Sequence, residues 1–281
     1  MKKILVLLLA ALATPACTPH KPLSLRIATY NLRMDTPSDS LNAWSYRKEN
    51  VKALIRYHDF DIIGTQEGFL HQLEDLTEIP GYSFFGAGRD DGKQAGEHSA
   101  ILYKKDVFLL KDSGNFWLSE TPDTPGKGWD ATCCNRICSW AKFLHKKSQT
   151  TFYVFNVHFD HEGQTARRES GKLMERKIRE IAGKETAICT GDFNSLPDTE
   201  QIQTLSAFLG DAHNISLKPP YGPEGTFNGR FTNPVHPGRI DYIFVSESVS
   251  VEGYAVLTDN NGMYYPSDHL PVVADIHITT P

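Results

Sequence analysis

The chain has 281 residues, 40% of them hydrophobic, 22% charged and 11% aromatic, a globular composition that excludes disorder, collagen and coiled coil. Its formal net charge of -5 is the wrong sign for a protein that coats nucleic acid without specificity, while leaving room for a locally basic groove. No internal repeat, low-complexity tract or Pro/Gly-rich linker divides it, so one large domain is expected.

Lys2 and Lys3 precede an apolar run from Ile4 to Leu12, too short to span a membrane but of the right length for the core of a secretory signal. Residues 1–16 therefore read as a signal peptide, and small residues ahead of Cys17 make it the expected first mature residue, carrying lipid as in bacterial lipoproteins. Thr14 stands where such signals usually have an aliphatic residue. The expectation is an exported protein, periplasmic or anchored to the membrane by a lipidated Cys17. Removing residues 1–16 takes away Lys2 and Lys3 and no acid, so the formal charge goes from -5 to -7.

From Leu25 the predicted elements alternate. LRIATYN is a strand, and AWSYRKENVKALIRY places Val51, Leu54 and Ile55 at helical spacing. FDIIGTQE is a buried strand, and Gly68 to Thr77 a helix through Leu70, Leu73 and Leu76 that stops before Pro80-Gly81. SAILYKK, FLLKDSGNFWL, SWAKFLHK and TFYVFNVHF are rich in β-branched and aromatic residues between turn signals. Thr165 to Ala182 is a helix with Leu173, Ile178 and Ile181 on one side, followed by the strand TAICTGDFN. GTFNGRF, RIDYIFVS, YAVLT and HLPVVADIHI read as short strands. Two packed sheets covered by helices account for this order; a doubly wound nucleotide fold does not, because neither G-x-G-x-x-G nor a Walker loop follows the first strand.

Cys189 lies in a strand and reads as a small buried hydrophobe. The group CCNRIC, with Cys133, Cys134 and Cys138, has no second ligand pair at zinc spacing, so a disulfide within or from it is the expectation and zinc is set aside.

Five segments place polar residues after or beside apolar strand runs: Asn31, Glu67, His158, Asp192 with Asn194, and Asp268-His269. Taken singly, each has a structural reading as a turn residue, helix cap, surface acid or hydrogen-bonded core histidine. Together, at strand ends, they describe a site. The segments TYNLR, TQEG, NVHFD, GDFN, RIDYIF and SDHLPV, in that order through nearly the whole mature chain, resemble the endonuclease/exonuclease/phosphatase family. The resemblance implies an α/β four-layered sandwich, two mixed β-sheets flanked by helices, as a catalytic domain over residues 22–281.

Carboxylates and amides without zinc spacing suit a hard cation, Mg2+ or Mn2+. Glu67 is the first choice of ligand, and the resemblance adds Asn31 and Asp268. It also implies that Asp192 and Asn194 position the attacking water and bind phosphate, with Asp192 otherwise helping to hold a second ion. By the same resemblance Asp241 is expected to orient His269, and His158 to act from the other side with Glu97 as its candidate partner; His98 and solvent are the alternatives to Glu97. Arg136 matches a phosphate-binding arginine whose planar fork suits two oxygens.

Ahead of Glu97, Gln94, Ala95 and Gly96 offer no ring to stack beside DNA, and no basic segments would follow a duplex backbone. Trp117, Trp129, Phe227, Phe231, Tyr264 and Tyr265 in the loops are candidates for a pocket wall or for packing over sheet edges. A phosphorylated small molecule, sugar or lipid head group is thus favoured over nucleic acid as substrate, with no obligate protein partner. Two other classes stay open: a metal-free glycosidase with two carboxylates about 5 to 9.5 Å apart, and a surface lipoprotein that only binds.

Overall fold

The computed structural model describes residues 22–232 and 235–279; the predicted signal and Cys17 lie outside the described residues. The first half contains β1 (Leu23–Asn31), α1 (Trp44–His58), β2 (Ile62–Gln66), α2 (Leu70–Thr77), β3 (Tyr82–Phe85) and β4 (Ile101–Lys104). The second contains β5 (Phe108–Trp117), β6 (Ile137–His145), β7 (Thr151–His158), α3 (Gln164–Ala182), β8 (Ala187–Asp192), α4 (Glu200–Ser206), β9 (Gly210–Asp211), α5 (Ala212–Ile215) and β10 (Asp241–Val245). Then β11 (Val249–Val256) and β12 (Val272–Ile278) return to the first sheet.

Two six-stranded sheets result, in the orders β11-β12-β1-β2-β4-β3 and β5-β6-β7-β8-β10-β9. Each contains one parallel pair, β1 with β2 and β7 with β8, among antiparallel neighbours. The connections inside those pairs carry α1 and α3, the two long helices, because a parallel return needs a crossover.

Period-two alternation decides what faces what. Leu25, Ile27 and Ile62 meet Phe152, Val154, Ile188 and Ile243 between the sheets. The intervening residues face outward: Ala28, Tyr30 and Ile63 receive Val51, Leu54 and Ile55 of α1 and Leu73 and Leu76 of α2. Phe155, Val157, Cys189 and Phe244 receive Leu173, Met174 and Ile178 of α3 and Ile202 and Leu205 of α4. Two mixed sheets between helical layers match the expected sandwich.

Along the inner face the chemistry changes. Beyond the aliphatic zone lie Thr29, Gln66, Asn156 and Thr190, all fully buried. Asn156 Nδ2 donates to the carbonyls of Thr65 (2.8 Å) and Ala100 (2.9 Å), while its Oδ1 accepts from Gln66 Nε2 (2.7 Å) and Thr190 Oγ1 (3.0 Å). These bonds tie the sheets together and leave no room for a side chain at Gly64, where a Cβ would stand 2.1 Å from Thr190 Oγ1 and 2.3 Å from Asn156 Oδ1.

One expected strand is absent. GTFNGRF makes only an isolated bridge, Phe227 to His269, because Gly229 (φ 68°) and Phe231 (φ 61°) turn the chain out of extended geometry. The predicted second helix starts at Leu70 rather than Gly68, whose backbone bridges His98 instead.

Candidate active site

The site lies at the end of the sandwich where both parallel pairs finish. Asn31 closes β1 and Glu67 follows β2; His158 and Asp192 close β7 and β8 in register. Asp241, opening β10, pairs with Asp192, and Asp268-His269 precedes β12. Asn31, His158, Asp192 and Asp241 share the strand parity of the inter-sheet apolar residues, so they point inward. Glu67 (φ 63°) and Asn194 (φ 46°) occupy left-handed backbone, strain that the surrounding structure holds and that aims both side chains across the cleft.

Asn31 joins the two sheets, its Nδ2 donating to Glu67 Oε1 (3.0 Å) and Asp192 Oδ2 (3.1 Å). Met34 N–H donates to Glu67 Oε2 (3.0 Å), and Arg33 lies 4.0 Å from Glu67 and 3.9 Å from Asp268. Asn194 N–H donates to Asp192 Oδ1 (2.9 Å), and its Nδ2 lies 3.2 Å from His158 Nε2. Asp192 Oδ2 is 3.5 Å from His158 Nε2 and 3.6 Å from His269 Nε2. His269 Nδ1 donates to Asp241 Oδ2 (2.9 Å), which also accepts from Thr226 Oγ1 (2.6 Å).

The two histidines are driven in opposite directions. Burial, reinforced by the charges of Arg136 and Arg89, holds His158 well below the ordinary imidazole range. For His269 burial also opposes charge, but Asp241, Asp192 and Asp268 outweigh it and hold the imidazole well above that range. Near neutral pH His158 is thus a neutral acceptor and His269 a cation. Burial, with the neighbouring Asp241 charge, pushes Asp192 up to about 7. Burial pushes Glu67 up too, but His269, Asn31, Met34 N–H and Arg33 together leave it below the usual carboxylate range.

On the side of His158 a cleft of about 10 Å³ is lined by Glu67, Arg89, Glu97, Arg136 and His158. Arg136 is buried, and its Nε and Nη1 have no hydrogen-bond partner, so two donors await an acceptor. Glu97 is not the partner of His158: its Oε2 accepts from Arg89 Nη1 at 2.6 Å. Burial pushes the Glu97 carboxyl up to about 7 against the attraction of Arg89.

A divalent cation fits these residues. Glu67, Asp192, Asp241 and Asp268 crowd one cleft with Arg33 and His269 as the facing positive charges, and Asp241 Oδ1 is buried without a partner. Such an excess of desolvated oxygen ligands is what a hard cation neutralises. Two adjacent groups are the candidates to hold it: Glu67, Asp268 and Asn31, or Asp192, Asp241 and His269; the ligand atoms of the second group lie within 4.8 Å of one another, and His269 would ligate only after giving up its proton.

Beside the carboxylates opens a cavity of about 580 Å³ lined by Leu196, Asp198, Glu224, Phe227, His236 and Ile240 among others. The Phe227 ring sits 4.9 Å from His269 and stacks on His236 at 5.4 Å. Of the candidate wall aromatics, Phe227 lines this cavity; Trp117, Phe231 and Tyr265 are buried in packing, and Trp129 packs against the α3 side of the core.

Arg33, Arg89, Thr226 and Ser267 were not legible as site residues. Ser267 Oγ donates to the Asn31 carbonyl (2.7 Å), and Arg33 and Ser267 are the last and first residues of the motifs TYNLR and SDHLPV, a signal by position alone. Arg89 and Thr226 stand in loops with no local pattern, and only tertiary contact brings them to Glu97 and Asp241.

The sequence profile of the Endonuclease/Exonuclease/phosphatase family matches residues 28–269. A crystal structure of a family protein from Bacteroides thetaiotaomicron is 45% identical, with a TM-score of 0.87 over 92% of this chain and 100% of that one. A mannosyl-6-phosphatase from Bacteroides thetaiotaomicron VPI-5482 is 44% identical, with a TM-score of 0.85 over 90% and 99%. The human Nocturnin catalytic domain, with bound sulfate, shares the fold at 20% identity and a TM-score of 0.73, over 91% and 95%.

Proposed function

The chain belongs to the endonuclease/exonuclease/phosphatase family, and from that premise we propose that it is a divalent-metal-dependent hydrolase of phosphate esters, acting outside the cytoplasm on a phosphorylated sugar or similar small molecule. The observation that carries this reading is Asp192, poised near neutrality between the neutral His158 (3.5 Å) and the cationic His269 (3.6 Å). A carboxylate with that proton affinity suits a base that accepts a proton from attacking water.

Each side chain then has a task. Arg136 offers Nη1, which has no hydrogen-bond partner among the described residues, to a phosphate oxygen. Asn194 is held by its own N–H on Asp192 Oδ1 (2.9 Å), so its amide and the Asp192 carboxylate act on the same water or phosphate oxygen. His269, kept charged and oriented by Asp241, donates from Nε2 to the phosphoryl group. Glu67, Asp268 and Asn31 would hold Mg2+ or Mn2+, which when bound would supply polarisation of a phosphoryl oxygen and positive charge to offset what builds in the transition state. The adjoining cavity of about 580 Å³ accommodates the leaving group, with the Phe227 ring as an apolar face and Asp198 and Glu224 as acceptors for hydroxyls. Their negative charge disfavours a polyanion, in keeping with the net charge and with the similar mannosyl-6-phosphatase.

The test is hydrolysis of mannose 6-phosphate, p-nitrophenyl phosphate and bis-p-nitrophenyl phosphate with Mg2+, Mn2+ or EDTA, by the native protein and Glu67→Ala. Monoester turnover lost in EDTA and in the variant is expected. Preference for the diester would overturn the monoester reading, and turnover unaffected by EDTA would overturn the metal.

A further inference from the structure

At the outer edge of the Arg136 cleft stands a group that the phosphoesterase chemistry does not use. Cys133 and Cys134 form a disulfide between adjacent residues, their Cα atoms 3.8 Å apart, which answers the expectation of a bond within CCNRIC and leaves Cys138 as a buried free thiol. The ligand atoms of Cys133, Cys134 and His161 lie within 4.8 Å of one another. Cys133 is exposed and the His161 side chain is 47% exposed, so solvent reaches the group. The second ligand that zinc spacing lacked in the sequence is supplied in space, 27 residues beyond Cys134 along the chain.

We infer that Cys133, Cys134 and His161, in the dithiol state, bind one thiophilic divalent cation such as Zn2+ or Cd2+, and that this binding disengages Arg136. Two thiolates and an imidazole are the donors such ions select, in contrast to the oxygen ligands around Glu67. Glu162, whose Oε1 is 3.7 Å from His161 Nε2, or water completes the coordination. Opening the disulfide takes two electrons and two protons from a dithiol reductant, which itself closes to a disulfide; the two thiols then release their protons to solvent as the cation binds.

The link to Arg136 follows from imidazole valence. Arg136 Nη2 donates to His161 Nδ1 at 2.7 Å, and a guanidinium has no acceptor, so Nδ1 supplies the lone pair. A neutral imidazole has one free lone pair. A cation on Nδ1 takes it directly; a cation on Nε2 forces the proton onto Nδ1, which then faces the guanidinium as a second donor. Either way Arg136 loses its outer tether, the remaining contact being Asp160 Oδ2 at 3.5 Å from Nε. The cation site stands independently of the phosphoesterase reading, whereas its effect on turnover rests on it.

The experiment titrates Cd2+ into the intact protein in excess Mg2+, with and without tris(carboxyethyl)phosphine, which reduces the disulfide and becomes the phosphine oxide with oxygen from water. Thiolate-to-cadmium ultraviolet absorption is followed. One equivalent should bind the reduced protein. The oxidised protein and Cys133→Ser/Cys134→Ser, which retains Cys17, Cys138 and Cys189, should show no such step, and His161→Ala should bind at least tenfold more weakly. Absence of the step after reduction, its persistence in the double variant, or unchanged affinity in His161→Ala would overturn the site. Bound Cd2+ should also raise KM for p-nitrophenyl phosphate at least threefold in reduced native protein, with kcat within twofold, and leave the double variant unchanged. An unmoved KM alongside the absorption step would overturn the coupling to Arg136. Absence of turnover in every form instead counts against the phosphoesterase reading, with the absorption step still deciding the cation site.

Discussion

The space between the two sheets is one continuous face of the same strands, yet its two ends differ in kind. At one end Ile27, Ile62, Val154, Ile188 and Ile243 are fully buried hydrocarbon; at the other, on β1, β7, β8 and β10, Asn31, His158, Asp192 and Asp241 occupy the same parity. The aliphatic end gains free energy by leaving water, and the polar end spends some of it on desolvated charge. Between them Gln66 Nε2 donates to Asn156 Oδ1, so a hydrogen-bonded side-chain layer rather than distance separates the polar end from the hydrocarbon. Stability and chemistry are thereby separated along the strand direction.

That separation can be broken from either end. The largest effect is expected at the rim, where Glu67→Ala or His269→Ala should lower kcat about 10³-fold or more. Glu67→Ala takes one charge from an acidic excess and should leave the melting temperature level or higher, whereas His269→Ala removes the cation facing Asp241 and Asp192 and should lower it. A fall in the melting temperature of Glu67→Ala would mean that this part of the rim is structural. At the aliphatic end Ile188→Ala should cost about 2–5 kcal/mol in denaturant unfolding, with kcat per folded molecule unchanged.

The middle layer sharpens the contrast. Asn156→Ala removes four buried hydrogen bonds, to Gln66, Thr190 and the carbonyls of Thr65 and Ala100, and should cost about 1–3 kcal/mol, with a kcat loss well short of the rim variants. A smaller effect follows from proton linkage. Asp192, about 7 in the folded protein and near 4 unfolded, binds its proton more tightly when folded, so its contribution disfavours the metal-free fold as pH rises from about 4 to 7. A cation competes with that proton. Mg2+ should therefore raise the melting temperature more at pH 8 than at pH 5.5, by about 1.4 kcal/mol, or roughly 3 °C, at ten times its Kd. Equal shifts at both pH values would mean that the bound ion and the Asp192 proton are not coupled.

Much of this arrangement was legible in order along the chain. The alternation in LRIATYN and TFYVFNVHF locates both strands and, by parity, turns Asn31 and His158 toward the same interior. The polar residue ending each apolar run marks the rim, because a strand cannot continue into hydrocarbon with a carboxylate on its inner face. Short elements such as β3 and α4 escaped, being too brief for periodicity to speak, and GTFNGRF misled because its apolar spacing mimics a strand while Gly229 bends it.

By itself, then, the sequence determined the packed sheets under their helices and the roster of rim carboxylates and histidines, since these follow from local period and from where polarity interrupts it. Tertiary structure alone decided who pairs with whom. Glu97 goes to Arg89 instead of His158, Thr226 secures Asp241, and His161 stands between Arg136 and the Cys133–Cys134 pair. The proton affinities of His158 and His269 were settled the same way. Two buried imidazoles take opposite charge states because burial, reinforced by arginines, prevails at His158 while carboxylates outweigh it at His269, and electrostatic neighbourhood is a property of the folded chain, not of the residue.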